Sequence, residues 1–247
     1  VNTILILGGT TEAAELARRL ASLPLRVITS LAGRTRDPAR LDGEVRSGGF
    51  GGAEGLARYI EAEDVTVIVD ATHPFATRIS PNAAKAAELA ARPFVRLERP
   101  AWRKTEGDHW LEVTSLEEAA SAIPPDARVL LALGRQHIAV FSQRPDVHFV
   151  VRMIDPPEAA LELSYELVLA RPGNAAEEIA FLQDRRITHI VCRNSGGTAS
   201  YAKLHAARRL QIPVILIARP PQSTPNAVGD VEAVLEFITA HTGLRLA

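Results

Sequence analysis

The residues that could do chemistry sit in a few short polar loops. The first reads Gly8-Gly9-Thr10-Thr11-Glu12; it follows the apolar run Ile4–Leu7 and opens the helical stretch Glu12–Ser22. Paired glycines let a backbone approach a ligand closely, and the first amides of a following helix lack intrahelical partners and form a positive dipole end. Thr10 and Thr11 add hydroxyl donors. That set suits a pyrophosphate, although a plain strand-to-helix turn needs the same glycines. The third glycine of the dinucleotide-binding pattern is replaced by Ala13 or Ala14, small enough for close packing of helix on strand. Glu12 favours the helix dipole in its own right, so it either points away from a ligand or caps an empty turn.

The second loop decides which dinucleotide. In NAD-binding folds an acid about 20 residues further on takes the ribose hydroxyls. Here RVITSLAGRTRD carries no acid between Glu15 and Asp37; it offers Ser30, Arg34, Thr35 and Arg36. A serine beside guanidinium groups matches a 2′-phosphate, because arginine presents several donors in a fixed fork. A solvated basic loop is the plain alternative; taken with Gly8 and Gly9, the set points to NADPH. The glycine-rich RSGGFGG at Arg46–Gly52 places Gly49, Phe50 and Gly51 either in a second wall of that site or in a flexible turn.

Two later loops follow apolar runs. In DATHPFA, Asp70 and His73 could transfer protons and Thr72 could line the cofactor, or Asp70 and Thr72 could simply cap the next helix. In CRNSGGTASYAKL, Asn194, Ser195, Gly196 and Gly197 could hold an anion, with Lys203 one to two turns into the helix. Tyr201 and Lys203 stand two apart rather than four, so they point to different sides and are not the short-chain dehydrogenase pair. The single cysteine, Cys192, excludes an internal disulfide. The seven histidines show no metal-ligand spacing, so no metal site is expected. Walker A and G-x-S-x-G patterns are absent.

These loops need a frame. The chain has 247 residues, 47% hydrophobic but only 5% aromatic, which suits Ala-rich helices packed on parallel strands. Apolar runs at Ile4–Leu7, Arg26–Ser30, Thr66–Asp70, Phe94–Leu97, Val129–Leu133, Leu167–Ala170, His189–Cys192 and Val214–Ala218 alternate with helical stretches. That alternation predicts an α/β, doubly wound parallel sheet. Thr66–Pro100 and Thr188–Pro220 share one pattern, with Ala86, Ala87 and Pro93 falling on Ala206, Ala207 and Pro213, which predicts two similar halves. We place them at 1–102, binding the cofactor, and 103–247. A net charge of −1 gives no global attraction to nucleic acid or membrane. No apolar run is long enough for a membrane span. A cytoplasmic protein is expected.

Together, ILGGTTEAAELA, SLAGRT, GGFGG, DATHPFATRISPNA, RLERPAW and NSGGTASYAKLHAARRLQIPVILIARP resemble the precorrin-6A reductase family of cobalamin biosynthesis, in order and over most of the chain. The resemblance implies two Rossmann-like halves with a cleft between them. It also implies an NADPH-dependent reduction of one double bond in precorrin-6A, giving precorrin-6B, with a close relative acting on the cobalt-containing ring. The substrate would be a polycarboxylate tetrapyrrole, to which Arg78, Arg135, Arg152, Arg193 and Lys203 offer cations, and neighbouring pathway enzymes are candidate partners. Lys203, then His73, are the expected proton donors. A nucleotide-sugar transferase and a non-catalytic NADP-binding module are the competing functions.

Overall fold

A computed structural model describes residues 1–32, 41–157, 163–221, 224 and 226–244. The chain divides into two units, Val1–Pro100 with Pro221–Ala247, and Ala101–Pro220. The first unit begins β1 (Thr3–Leu7), α1 (Thr11–Ala21), β2 (Arg26–Leu31), β3 (Glu44–Ser47), α2 (Gly52–Ala62), β4 (Val65–Asp70), α3 (Ile79–Leu89) and β5 (Phe94–Leu97). The second holds β6 (Trp110–Val113), α4 (Leu116–Ser121), β7 (Arg128–Ala132), β8 (His148–Met153), β9 (Tyr165–Leu169), α5 (Ala175–Asp184), β10 (His189–Arg193), α6 (Ala202–Leu210) and β11 (Val214–Ile217). The chain then returns to the first unit with β12 (Ala227–Val228) and α7 (Val231–Thr242).

Each unit contains one six-stranded sheet, in the orders β3-β2-β1-β4-β5-β12 and β9-β8-β7-β10-β11-β6. All neighbouring strands pair in parallel. Read this way the two orders are the same for five strands, and β4-α3-β5 occupies the places of β10-α6-β11. The repeat seen in the sequence is therefore a repeat of architecture. The sixth place is exchanged: β6 follows β5 in the chain but joins β11, and β12 follows β11 but joins β5.

The break after Pro100 lies two residues from the boundary expected at 102, and that exchange corrects the expected extent of the second domain. The segment from Pro221, expected in the second domain, belongs to the first: Val231, Val234, Leu235 and Ile238 of α7 pack in one core with Ile4, Ile6, Leu16 and Leu20. The spacing of those four α7 residues makes one apolar helix face, but periodicity cannot say which sheet the face will meet.

Burial follows the strand period of two. In β1, Ile4 and Ile6 face the α1 and α7 side, while Leu5 and Leu7 face the α2 and α3 side. Both sets are buried, which is why the run is apolar throughout. Helix α1 starts on Thr10, whose side chain accepts the Ala13 amide, and buries Ala13, Leu16, Ala17 and Leu20. Full burial of Leu16 and Leu20 stabilises the unit by about 1.5–3 kcal/mol each. In the second unit, Leu130, Val150, Ile190, Leu204 and Leu216 share a core with Trp102 and Trp110.

Candidate functional site

In open parallel sheets, ligands bind beyond the strand C-termini where the strand order reverses. In the first unit that point lies between β1 and β4. The loop after β1 is shaped for close approach. The Gly8 amide donates to the Ser30 carbonyl at 2.9 Å, and a Cβ at Gly8 would stand 2.9 Å from Thr29 Cγ2. Gly9 has φ +114°, and a Cβ there would meet nothing within 4 Å. The turn thus requires glycine at both places and opens at Gly9, as a bound phosphate needs.

Thr10 is committed to the scaffold. Its hydroxyl accepts the Ala13 amide at 3.1 Å and donates to the Ala71 carbonyl at 2.8 Å, tying the loop after β1 to the loop after β4. The anion donors expected at Thr10 and Thr11 therefore reduce to the α1 amides and the exposed Thr11 hydroxyl. Glu12 turns to Arg99 and forms an ion pair with it, partly shielded from water. That pairing explains how an acid can occupy the first turn of a helix that also suits an anion.

The loop after β4 is built on a buried network. Asp70 accepts from the Thr72 amide at 3.1 Å, the Thr72 hydroxyl at 2.6 Å and Arg96 Nη1 at 2.8 Å. Arg96 also reaches Ser80 Oγ, and its Nε donates to Glu98 at 2.9 Å. Asp70, Ser80 and Arg96 are buried, so the proton-transfer role considered for Asp70 gives way to an ion pair that fixes the loop. His73 is half-buried. Its Nδ1 accepts the Phe75 amide at 3.2 Å, which leaves the proton of the neutral ring on Nε2.

Ser30, at the end of β2, accepts from Arg46 Nη1 at 2.7 Å. The same guanidinium donates to the carbonyls of Gly48 and Gly49, both at 3.2 Å, and stacks on Phe50 with Cζ 3.9 Å from the ring centroid. RSGGFGG is a shaped loop: Gly48, Gly51 and Gly52 have φ of +114°, +80° and +91°. Arg34 and Thr35, expected on the 2′-phosphate, lie outside the described residues. Arg46, the first residue of RSGGFGG, adds to the contacts expected from the sequence.

The corresponding point of the second unit lies between β7 and β10. Gly134 and the half-buried Arg135 follow β7, where the first unit has Gly8 and Gly9. In place of a long helix come two 3₁₀ turns, Arg135–His137 and Ala139–Gln143. After β10, Gly196 and Gly197 both take left-handed backbone, with φ of +67° and +69°. The Ser195 carbonyl accepts from Arg219 Nη2 at 3.0 Å.

Three expected substrate contacts are committed elsewhere. Arg152 is buried in a two-pronged ion pair with Glu178, at 2.7 and 3.0 Å. Asn194 is buried and grips the Trp102 backbone, accepting its amide at 2.8 Å and donating to its carbonyl at 3.0 Å. Lys203 is 4% exposed; its ammonium donates to the Ser200 carbonyl at 2.6 Å and lies 4.9 Å from the Trp102 ring centroid. Burial pushes its pKa down and pushes the Cys192 thiol up. Helix period alone could not tell an inward lysine from an outward one. Among the described residues no group of three His, Cys, Asp or Glu could hold a metal ion, and no helix is long and apolar enough to cross a membrane.

Residues 3–239 match the family model described as precorrin-6x reductase CbiJ/CobK. A precorrin-6A reductase from Rhodococcus erythropolis is 46% identical over 239 residues, covering 95% of this chain and 96% of that protein. A cobalt-precorrin-6A reductase from Priestia megaterium is 29% identical over 254 residues, covering 97% and 99%. The solved structure named CobK precorrin-6A reductase superposes with a TM-score of 0.94 at 40% identity, covering 98% of this chain and 97% of that one. The chain belongs to the precorrin-6x reductase CbiJ/CobK family.

Proposed function

We propose that the protein is an NADPH-dependent precorrin-6A reductase, in which the first unit holds the dinucleotide and the loops of the second help to hold the tetrapyrrole. The observation that carries the cofactor assignment is the end of β2, where a serine and a guanidinium stand in place of the ribose-binding acid. The α1 amides beyond Gly8 and Gly9 would receive the pyrophosphate. The second unit offers no equivalent, since a 3₁₀ turn with Arg135 follows Gly134. A nucleotide-sugar ligand would have no use for a cation at that ribose. The metal-free ring is favoured because five relatives named precorrin-6A reductase are 40–47% identical, against 26–29% for three named cobalt-precorrin-6A reductase.

The bound nicotinamide supplies the hydride. The chain's own work is to orient, to exclude water and to deliver a proton to the carbon beside the reduced one. His73, half-buried in the loop after β4, is the proposed donor: with the Phe75 hydrogen bond released, the ring protonated on both nitrogens gives up its Nε2 proton and returns to neutral. Lys203 keeps a different task, holding the Ser200 turn over Trp102. Arg135, the Ser195 hydroxyl and the Gly196 amide are the proposed partners for ring carboxylates.

Anaerobic turnover tests this reading. The protein is incubated with NADPH or NADH and with precorrin-6A or its cobalt complex. Consumption of NADPH, with the metal-free ring gaining two hydrogens, is expected. Turnover with NADH alone, or with the cobalt complex alone, would reverse one half of the assignment.

A further inference from the structure

The proposed NADPH site contains a guanidinium that no carboxylate neutralises among the described residues. Arg46 lies on β3 directly across from Ser30 on β2. Its hydrogen bonds go only to neutral acceptors, Ser30 Oγ and the carbonyls of Gly48 and Gly49. Among the described residues no carboxylate pairs with it, although Arg26 at the start of β2 takes both Glu44 and Glu63. The guanidinium is nevertheless held firmly, stacked 3.9 Å from the Phe50 centroid and 5.0 Å from that of Tyr59.

The loop is built to keep Phe50 there. A Cβ on Gly55 would fall 1.7 Å from the Phe50 carbonyl oxygen, so α2 carries glycine where the loop presses on it. Glycine in a helix costs about 1 kcal/mol relative to alanine, a cost that makes sense only if the loop position matters. A planar, preorganised cation without a counter-charge, at the strand end that normally carries the ribose acid, matches a phosphate dianion.

We propose that Arg46, set by Phe50, Tyr59 and Ser30, reads the 2′-phosphate of the adenosine ribose and is a determinant of NADPH over NADH. This rests on the NADPH reading above. The opposing view is that Arg46 only ties β2 to the glycine loop.

The test is calorimetric titration of the wild type, Arg46→Met and Arg46→Lys with NADPH, NADH, adenosine 2′,5′-bisphosphate and ADP. Arg46→Met should weaken NADPH and the bisphosphate by about ten- to a hundred-fold, leaving NADH and ADP within about twofold; Arg46→Lys, with charge but no fork, should fall between. Equal weakening of all four ligands means a scaffold role and overturns the proposal. An unchanged preference for NADPH in Arg46→Met overturns it too, while leaving the cofactor reading intact. Binding of neither dinucleotide to the wild type removes both. If the variants do not fold, phenylglyoxal modification of the wild type decides: adenosine 2′,5′-bisphosphate should protect Arg46 and ADP should not, and absence of that difference overturns the proposal.

Discussion

Replacing Asp70 with asparagine separates a structural carboxylate from a catalytic one. Asp70 is fully buried at the end of β4, with one oxygen receiving Thr72 and the other receiving Arg96. An asparagine offers one oxygen and one NH₂ group. Whichever way the amide turns, its donor meets a donor, either the guanidinium or the Thr72 amide. Arg96 is 1% exposed, and among the described residues its Nη2 has no hydrogen-bond partner. It would keep Ser80 Oγ and, as its remaining carboxylate, Glu98, whose side chain is 27% exposed. Breaking a buried pair by removing one partner costs about 3–5 kcal/mol. The retained Glu98 places Asp70→Asn near the lower end, roughly 3 kcal/mol, or a melting point roughly 6–12 °C lower. Thermal unfolding followed by circular dichroism measures it, with turnover read well below the transition. The expected result is a destabilised enzyme whose kcat is within about threefold of wild type. Unchanged melting with turnover abolished would refute the assignment and return Asp70 to a proton relay.

Further outcomes follow from other contacts. Gly55→Ala should lower stability, reversing the gain of about 1 kcal/mol that alanine ordinarily brings to a helix, because its Cβ would collide with the Phe50 carbonyl; a raised urea midpoint would show that the loop yields freely. Arg99→Ala should weaken NADPH and NADH alike, several-fold, by freeing the Glu12 carboxylate beside the helix amides; equal titrations of variant and wild type would place Glu12 away from the phosphates. Burial depresses the pKa of Lys203, so the unfolded chain binds its proton more tightly and stability rises as pH climbs from the folded pKa towards 10.5. The stability of Lys203→Met relative to wild type should therefore fall from pH 7 towards pH 10, as urea midpoints at the two pH values will show. Burial also depresses His148 and His189; both favour the neutral ring on folding, and stability should drop as pH falls below about 6.5, with the second unit unfolding first in hydrogen exchange.

Much of this was legible in the sequence, and the failures have physical causes. Ile4–Leu7 was legible as the body of β1, because a buried parallel strand is apolar throughout. The edge strand β3, EVRS, is mostly exposed and carries no such signal. Arg46 went unread for that reason: its strand was invisible, so nothing placed it opposite Ser30. The glycine loop was legible because φ above zero selects glycine, as at Gly9. Direction was not legible. Arg152, Asn194 and Lys203 were the right types in the right loops, but their partners Glu178, Trp102 and Ser200 are set by tertiary packing. The return of α7 to the first unit was equally silent, since an apolar face names no partner.

In the proposed reaction a hydride passes from NADPH to the ring. The direct measurement is turnover of precorrin-6A with NADPH deuterated in turn on each face of the nicotinamide C4, followed by mass spectrometry of the product. One label should transfer deuterium to a ring carbon and the other should not. A reduced product without deuterium from either label, or oxidation of NADPH with the ring unchanged, would contradict the account.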